Sequence, residues 1–338
     1  MPFSIQRIWY QQNHPLSWAL RPLSAVYGAV SAARRYAYRS GWLKSHRVPV
    51  PVIIVGNIVA GGSGKTPLVL YLCELLRRSG YQPGIVSRGY GGKASHWPQR
   101  VSADSDPAQV GDEPVLLATR SGCPMQVGPD RVAAARALRQ DFPCTVIIAD
   151  DGLQHYALAR DIEIALVDGV RRYGNQHLLP AGPLREPLRR LRTVDAVVCN
   201  SPAQTAAPAG EYVMQLEFNT VYSLRDPSRR QALADWHGQP VHAVAGIGHP
   251  ERFFKQLVQA GIQPIAHPFP DHYHYRAEDL QFSPHLPLLM TEKDAVKCRQ
   301  LDLSAIFEKN EIWVVPVSAR LEARFDIFIL ERLAALAR

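Results

Sequence analysis

The sequence predicts an α/β protein: a mostly parallel sheet with helices on both faces, a second and smaller α/β domain, and an N-terminal helical segment at a membrane interface. Three observations carry this. A β-branched run, Val52 to Val55, leads through a glycine-rich turn into an apolar-periodic helix closed by Gly80. From there to about Asn200 strand-like and helix-like stretches alternate, as in a parallel sheet covered on both sides. Ahead of them, residues 1–47 mix aromatics and cations with no carboxylate.

The N-terminal segment is the most unusual in composition. Its most apolar part, Leu16 to Ala33, is interrupted by Arg21 and Pro22. It therefore falls short of the ~20 clean apolar residues of a spanning helix. No small-residue cleavage site follows an uninterrupted apolar core, as a secretory signal requires. Two readings stand: a helix or helix pair in the membrane interface, with aromatics at headgroup depth and cations on anionic lipid, or a helical cap with a solvated basic face. Net charge is +8. All 30 acidic residues follow Cys73, where the remaining cations balance them, so the basic excess is confined to the start of the chain. A nucleic-acid-dependent ATPase would instead carry cations beside its core. The five cysteines are scattered and form no C-x-x-C pair, which argues against a disulfide framework or a zinc site.

The stretch from Val52 to Arg78 is a strand, a loop and a helix in the order of a phosphate-binding loop. Gly61, Gly62, Ser63 and Gly64 allow backbone N–H groups to curl around phosphate oxygens, Lys65 reaches toward the β/γ-phosphates, and the Thr66 hydroxyl suits Mg²⁺. The sheet is thus P-loop NTPase-like, with a nucleoside triphosphate and Mg²⁺ as its expected ligands. One departure is Val59, at the place of the motif's first glycine.

Further strands are expected at Gly84 to Ser87, Met125 to Val127, Thr145 to Ala149, Ile162 to Val167 and Ala196 to Cys199, with ligands at their carboxyl ends. Thr145 to Gly152 is an apolar strand ending in Asp150 and Asp151, and either carboxylate is a candidate for Mg²⁺ or its waters. Asp112 and Glu113 open a helix after Gly111. The pair reads either as an N-cap or as a base, Asp112, beside a metal ligand, Glu113. Arg88 and Tyr90 in SRGYGG, Arg131 in GPDR, and Arg185 with Glu186 in LPAGPLREP are candidates for binding an anion or stacking on a sugar. For each, a structural salt bridge is the alternative.

The Pro/Ala-rich stretch 201–210 marks a boundary, and Tyr212 to Leu224 reads as extended. The expected division is 1–47, 48–205, a linker at 206–226, and 227–338. The last part has strands at Val241 to Ala245, Pro287 to Met290 and Ile312 to Val317, and helices at Pro250 to Ala260, Glu292 to Arg299 and Glu322 to Ala337. Its crowded FPDHYHY segment holds Asp271, His272 and His274 at spacings unlike those of zinc sites. An Asp or His held near a general base is the more economical use.

Taken together, VGNIVAGGSGKTP, VSRGYGG, GDEPVLLA, ADDGLQH, LPAGPLREP, AGIGHPERFF, DHYHY and TEKDAVK, spread over about residues 50–298, closely resemble the tetraacyldisaccharide 4'-kinase family. That family's loop also lacks the first glycine. The resemblance implies transfer of the γ-phosphoryl of MgATP to the 4'-hydroxyl of tetraacyldisaccharide 1-phosphate, giving lipid IVA at the cytoplasmic face of the bacterial inner membrane. It further implies Asp112 as base paired with His272, Glu113 and Thr66 on Mg²⁺, and Lys65 on the transferring phosphoryl. Asn57, Ser87, Arg88, Tyr90, Arg131, His155, Arg185 and Glu186 carry over as groups around the disaccharide, its phosphate or the ATP. No nucleic acid or protein partner is implied. The rival reading is a membrane-associated P-loop nucleotide switch binding a protein. It would carry a guanine-reading N-K-x-D or a lysine before the glycines, whereas Thr291 to Asp294 has Lys and Asp adjacent and position 60 is Ala60.

Overall fold

The structure is a computed structural model describing residues 5–11, 13–62, 64–201, 208–308 and 310–336. Ser63 and most of the Pro/Ala-rich stretch lie outside the described residues. The chain opens with helices α1 (Ile5–Tyr10) and α2 (Pro15–Arg39). There follow β1 (Val52–Gly56), α3 (Lys65–Arg78), β2 (Pro83–Ser87), β3 (Gln99–Val101), α4 (Pro107–Val110), α5 (Asp112–Ser121), β4 (Met125–Val127), α6 (Arg131–Asp141), β5 (Val146–Asp150), β6 (Ile162–Asp168), β7 (Ala196–Asn200) and β8 (Tyr212–Glu217).

These strands form a nine-stranded sheet in the order β15-β8-β7-β6-β1-β5-β2-β4-β3, where β15 (Ser318–Leu321) arrives from near the C-terminus. All pairings are parallel except β3 with β4 and β15 with β8. Successive side chains of a strand face opposite sides. Accordingly Ile53 and Val55 of β1 pack with Leu68, Leu72 and Leu117 on one face, while Val52 and Ile54 pack with Val132, Leu138 and Leu184 on the other. Double coverage makes all five β1 residues buried. β1 is central, so the glycine loop leaves the middle of the sheet at its carboxyl edge.

A second sheet, β10-β9-β14-β13-β11-β12, comprises β9 (Thr220–Ser223), β10 (Arg230–Ala232), β11 (Pro240–Ala245), β12 (Gln263–Pro268), β13 (Leu288–Thr291) and β14 (Ile312–Val315). Helices α7 (Pro250–Gln259), α8 (Glu292–Cys298) and α9 (Ser304–Phe307) accompany it. The extended stretch expected over Tyr212 to Leu224 is split, β8 belonging to the first sheet and β9 to the second. After β14 the chain recrosses. β15 pairs with β8, and Phe325, Ile329 and Leu333 of α10 (Ala323–Leu336) join the core around α3. The terminal helix therefore belongs with the first sheet, not with the second series where the sequence places it. An amphipathic pattern says that a face is buried, not against what.

Pro22 lies inside α2, and the helix continues through it. Its small polar side docks: Ser17 Oγ donates to the Ala181 carbonyl at 2.8 Å, Ser24 Oγ to that of Leu178 at 2.7 Å, and Tyr27 to that of Arg185 at 3.0 Å. The opposite side exposes Leu23 (58%), Val26 (63%) and Val30 (64%). A surface helix of a globular protein does the reverse. Among the described residues no helix is long and apolar enough to cross a membrane.

Candidate active site

Gly64 precedes α3 at φ 93°, and a Cβ there would stand 2.7 Å from the Asn200 amide at the end of β7, so only glycine fits. Val59, where the loop motif has glycine, is buried and bridges to Leu184, while Ala60 N donates to the Pro183 carbonyl at 2.8 Å. That side of the loop is thus pinned by LPAGPLREP, and the freedom lies at Gly61, Gly62 and Gly64. Asn57 is buried beneath the turn and donates to the Gly61 carbonyl at 3.2 Å.

The carboxylates at the end of β5 differ in environment. Asp150 is buried; the Ser87 hydroxyl donates to its Oδ2 at 3.2 Å, and Oδ1 has no partner among the described residues. Burial, reinforced by Glu113, pushes its carboxyl up to about 6 despite Lys65. Asp151 adopts φ 50° and is chelated at 3.0 Å by Arg185 Nη1, with Lys65 Nζ at 3.5 Å. Burial is outweighed by Lys65 and Arg185, and its carboxyl is lowered.

Asp112 is the first residue of α5, whose N-cap is Gly111. Its Oδ1 accepts from Glu113 N at 2.9 Å, and its Oδ2 lies 3.1 Å from Nδ1 of His272, which comes from the second sheet's side of the molecule. Burial favours the neutral acid, but the His272 hydrogen bond and Lys293 hold the carboxyl down at about 2. The same hydrogen bond raises His272 above the ordinary imidazole value against partial burial. His272 sits at φ 58°, a conformation that costs a non-glycine residue energy. Tyr90, 64% exposed, places its ring 5.7 Å from the imidazole.

Lys293, at the start of α8, is ion-paired to Glu113 across the cleft. Its neighbour Asp294 is fully buried. Asp294 accepts from Gly246 N at 3.1 Å, Tyr275 at 3.0 Å and Thr291 at 2.6 Å, and pairs with Lys297 at 2.9 Å. It thereby joins β11, the DHYHY segment and α8. TEKDAVK is conspicuous in the sequence, but the partner of Lys293 lies 180 residues away, so its role is not legible there.

The remaining candidates are unequal. Arg131 is buried, donates to the Gly128 and Pro129 carbonyls at 3.2 Å, and is lowered to about 10 by burial despite nearby Asp151 and Asp150. His155 accepts from Arg131 N at 3.3 Å; burial and that guanidinium lower it to about 4, so it is neutral. Arg88 follows β2 in an exposed position. Glu186 is not open to a ligand: only 2% exposed, it accepts from Gln154 at 2.9 Å and Tyr156 at 2.5 Å and pairs with Arg35 of α2 and Arg190. Its place is beneath Arg185, tying the N-terminal helix to the site.

Between the two units lies a cavity of about 230 Å³ lined by Lys65, Thr66 and Glu113 on one side and Phe253, Gln256 and Lys293 on the other. A larger cavity, about 550 Å³, lies behind α3 near Arg77 and Arg120 and touches none of the candidate residues. The smaller one, with its convergent charges, is the chemically equipped site. Its oxygen donors are Glu113 and the Thr66 hydroxyl, and Asp150, whose Oδ1 has no partner among the described residues, lies close enough to Glu113 and Lys65 to feel both charges. This set fits Mg²⁺, which takes one or two protein carboxylates and completes its shell with waters and phosphates. Among the described residues no three His, Cys, Asp or Glu side chains form a closed cage.

The profile of the family described as LpxK, tetraacyldisaccharide-1-P 4'-kinase, matches residues 16–334. The chain belongs to this family. Proteins named tetraacyldisaccharide 4'-kinase are 51% identical in Nitrosococcus oceani (99% of this chain, 95% of that one) and 50% identical in Xanthomonas campestris (97% and 95%). Among solved structures, the "apo" form of LpxK from Aquifex aeolicus in complex with ATP is similar at TM-score 0.79 and 30% identity, over 94% of this chain and 99% of that one. The family relationship spans both units, so the cleft with Asp112 on one wall and His272 on the other falls within it.

Proposed function

We propose that this protein transfers the γ-phosphoryl of MgATP to the 4'-hydroxyl of tetraacyldisaccharide 1-phosphate. The observation that supports this is the Asp112–His272 contact at 3.1 Å, made between the two units next to Glu113, which with Lys65 lines the cavity there. Bound Mg²⁺ would be held by Thr66, Glu113 and Asp150 and would neutralise phosphate charge. Asp151 is less available, being occupied by Arg185 and Lys65. The glycine loop orients the phosphates, Lys65 exchanges Asp151 for them, and Asp112 takes the proton of the attacking hydroxyl while His272 holds its carboxylate in line. Arg131, Arg88 and Arg185, with Tyr90 at the rim, suit a phosphorylated sugar. Contacts from both sides exclude water, limiting loss of ATP to hydrolysis. Incubated with ATP, Mg²⁺ and the disaccharide 1-phosphate in detergent, the protein is expected to give the 4'-phosphorylated product. Absence of lipid-dependent ADP formation by folded protein would overturn the reading.

The same reading places the enzyme on the cytoplasmic face of the inner membrane, held there by α2. Four acyl chains cannot leave a bilayer cheaply, at ~0.8 kcal/mol per CH₂. The exposed face of Leu23, Val26 and Val30 supports this placement, while the docked face keeps the active site in fixed relation to the lipid surface. Replacing both Val26 and Val30 by Glu is expected to weaken vesicle binding at least ~10-fold, because each apolar side chain withdrawn from water contributes ~1.5–3 kcal/mol. Co-sedimentation equal to that of the unaltered protein would count against the anchor.

A further inference from the structure

Two ammonium groups stand in the cleft, one from each unit, and each is held by a carboxylate. Lys65 lies 3.5 Å from Asp151, and Lys293 is paired to Glu113. Both line the cavity between the units. Lys293 has a carboxylate next to it in sequence, Asp294, but that one is taken by Lys297. Its own pairing is directed across the cleft, into the first unit's acidic edge.

The carboxylates that the two lysines neutralise are near the oxygen donors a divalent cation needs. A nucleotide entering with its metal ion brings charges of both signs. The metal suits Glu113, the phosphates suit the ammonium groups, and every charge keeps a counter-ion through the exchange, which avoids the cost of a buried unpaired charge. Lys65 has the position of a phosphate-binding-loop lysine, for which this exchange is the expected behaviour. Lys293 has the same arrangement, mirrored from the other wall.

We propose that Lys293 is a second phosphate-binding cation, which leaves Glu113 for the γ-phosphoryl oxygens when the nucleotide enters. This rests on the kinase reading above. In the transfer, the 4'-hydroxyl oxygen bonds to the γ-phosphorus and its proton goes to Asp112. The bond to the β,γ-bridging oxygen breaks, and its electron pair stays on ADP. Lys293 forms no bond in this step; it offsets charge on the transferring group, as cationic fingers do in other phosphoryl transfers. Lys293 and His272 are tied to one scaffold, since Asp294 joins α8 to the DHYHY segment through Tyr275. His272 is already on Asp112 at 3.1 Å, so a γ-phosphate held by Lys293 meets a base that is in place, and ADP lacks the group Lys293 would hold.

The test compares Lys293→Met and Lys293→Arg with the unaltered full-length protein in detergent. ATP and ADP affinities are measured calorimetrically in Mg²⁺, with melting temperatures alongside. Lys293→Met is expected to lose ~10-fold or more of the preference for ATP over ADP, with ADP affinity nearly unchanged and kcat down ~100-fold or more; Lys293→Arg regains much of the preference. If Lys293 only ties the units together, the Met variant melts lower and binds both nucleotides equally poorly. If it only stands in for the metal at Glu113, less Mg²⁺ is needed and the ATP preference is kept. Either result overturns the proposal. Because nucleotide preference is read without the lipid, it separates failure here from failure of the kinase reading, which lipid-dependent ADP formation reports.

Discussion

Replacing Asp112 by Asn is expected to lower kcat ~10²–10⁴-fold while ATP affinity stays within about threefold, since general-base catalysis contributes on that scale and the nucleotide's cradle is made elsewhere. Steady-state kinetics with a separate ATP-binding measurement check this, and unchanged turnover would remove Asp112 from the base role. A pH profile sharpens the test. His272 is raised above its ordinary value by its hydrogen bond to Asp112; Asp271 pushes the same way, and Lys293 opposes. Below that raised value the imidazolium holds the carboxylate's basicity down. As pH rises through it, the positive charge is lost and Asp112 becomes a better base. Activity should therefore increase with an inflection above ~6.5, and His272→Gln should flatten that limb. An inflection that survives the substitution would assign it to another group.

How much of this was legible in the sequence follows from the range of the interactions. β1, the glycine loop and α3 stand out because a doubly buried strand, a left-handed turn and an amphipathic helix each leave a local pattern. β12 was missed: Pro264 and Pro268 and a largely exposed face disguise an edge strand. Glu186 was read as a loop charge open either to a ligand or to a structural salt bridge, and three neighbours distant in sequence, Gln154, Tyr156 and Arg35, enclose it together with Arg190. The Asp112–His272 pair was supplied by family resemblance, because no local pattern joins residues 160 positions apart. Lys293 escaped notice for the same reason, its partner Glu113 lying 180 positions away, although TEKDAVK was visible as a motif. Glu113 and Asp150 were named from local context, but only the fold shows that Glu113 is already paired and that one Asp150 oxygen has no partner among the described residues.

Asp294→Ala is expected to be the most destabilising single change in the second unit. The carboxylate is fully buried and satisfies the Gly246 amide, the Tyr275 and Thr291 hydroxyls and the Lys297 ammonium together. Truncation leaves those donors without an acceptor, and Lys297, itself largely buried, without its counter-ion. Breaking a buried pair from one side costs ~3–5 kcal/mol, which corresponds to a melting point lower by at least about 12–20 °C for a unit of this size. The effect should reach the chemistry, because Thr291 precedes the helix carrying Lys293 and Tyr275 follows the turn carrying His272. Loosening Asp294 frees both cations that the second unit directs at the first. Calorimetric melting with turnover at a temperature where the variant is still folded separates the two effects. Loss of stability with full turnover would confine Asp294 to holding the fold, and an unchanged melting point would contradict the network. If both fall together, one buried carboxylate sets the geometry by which the second unit completes a site whose glycine loop lies in the first.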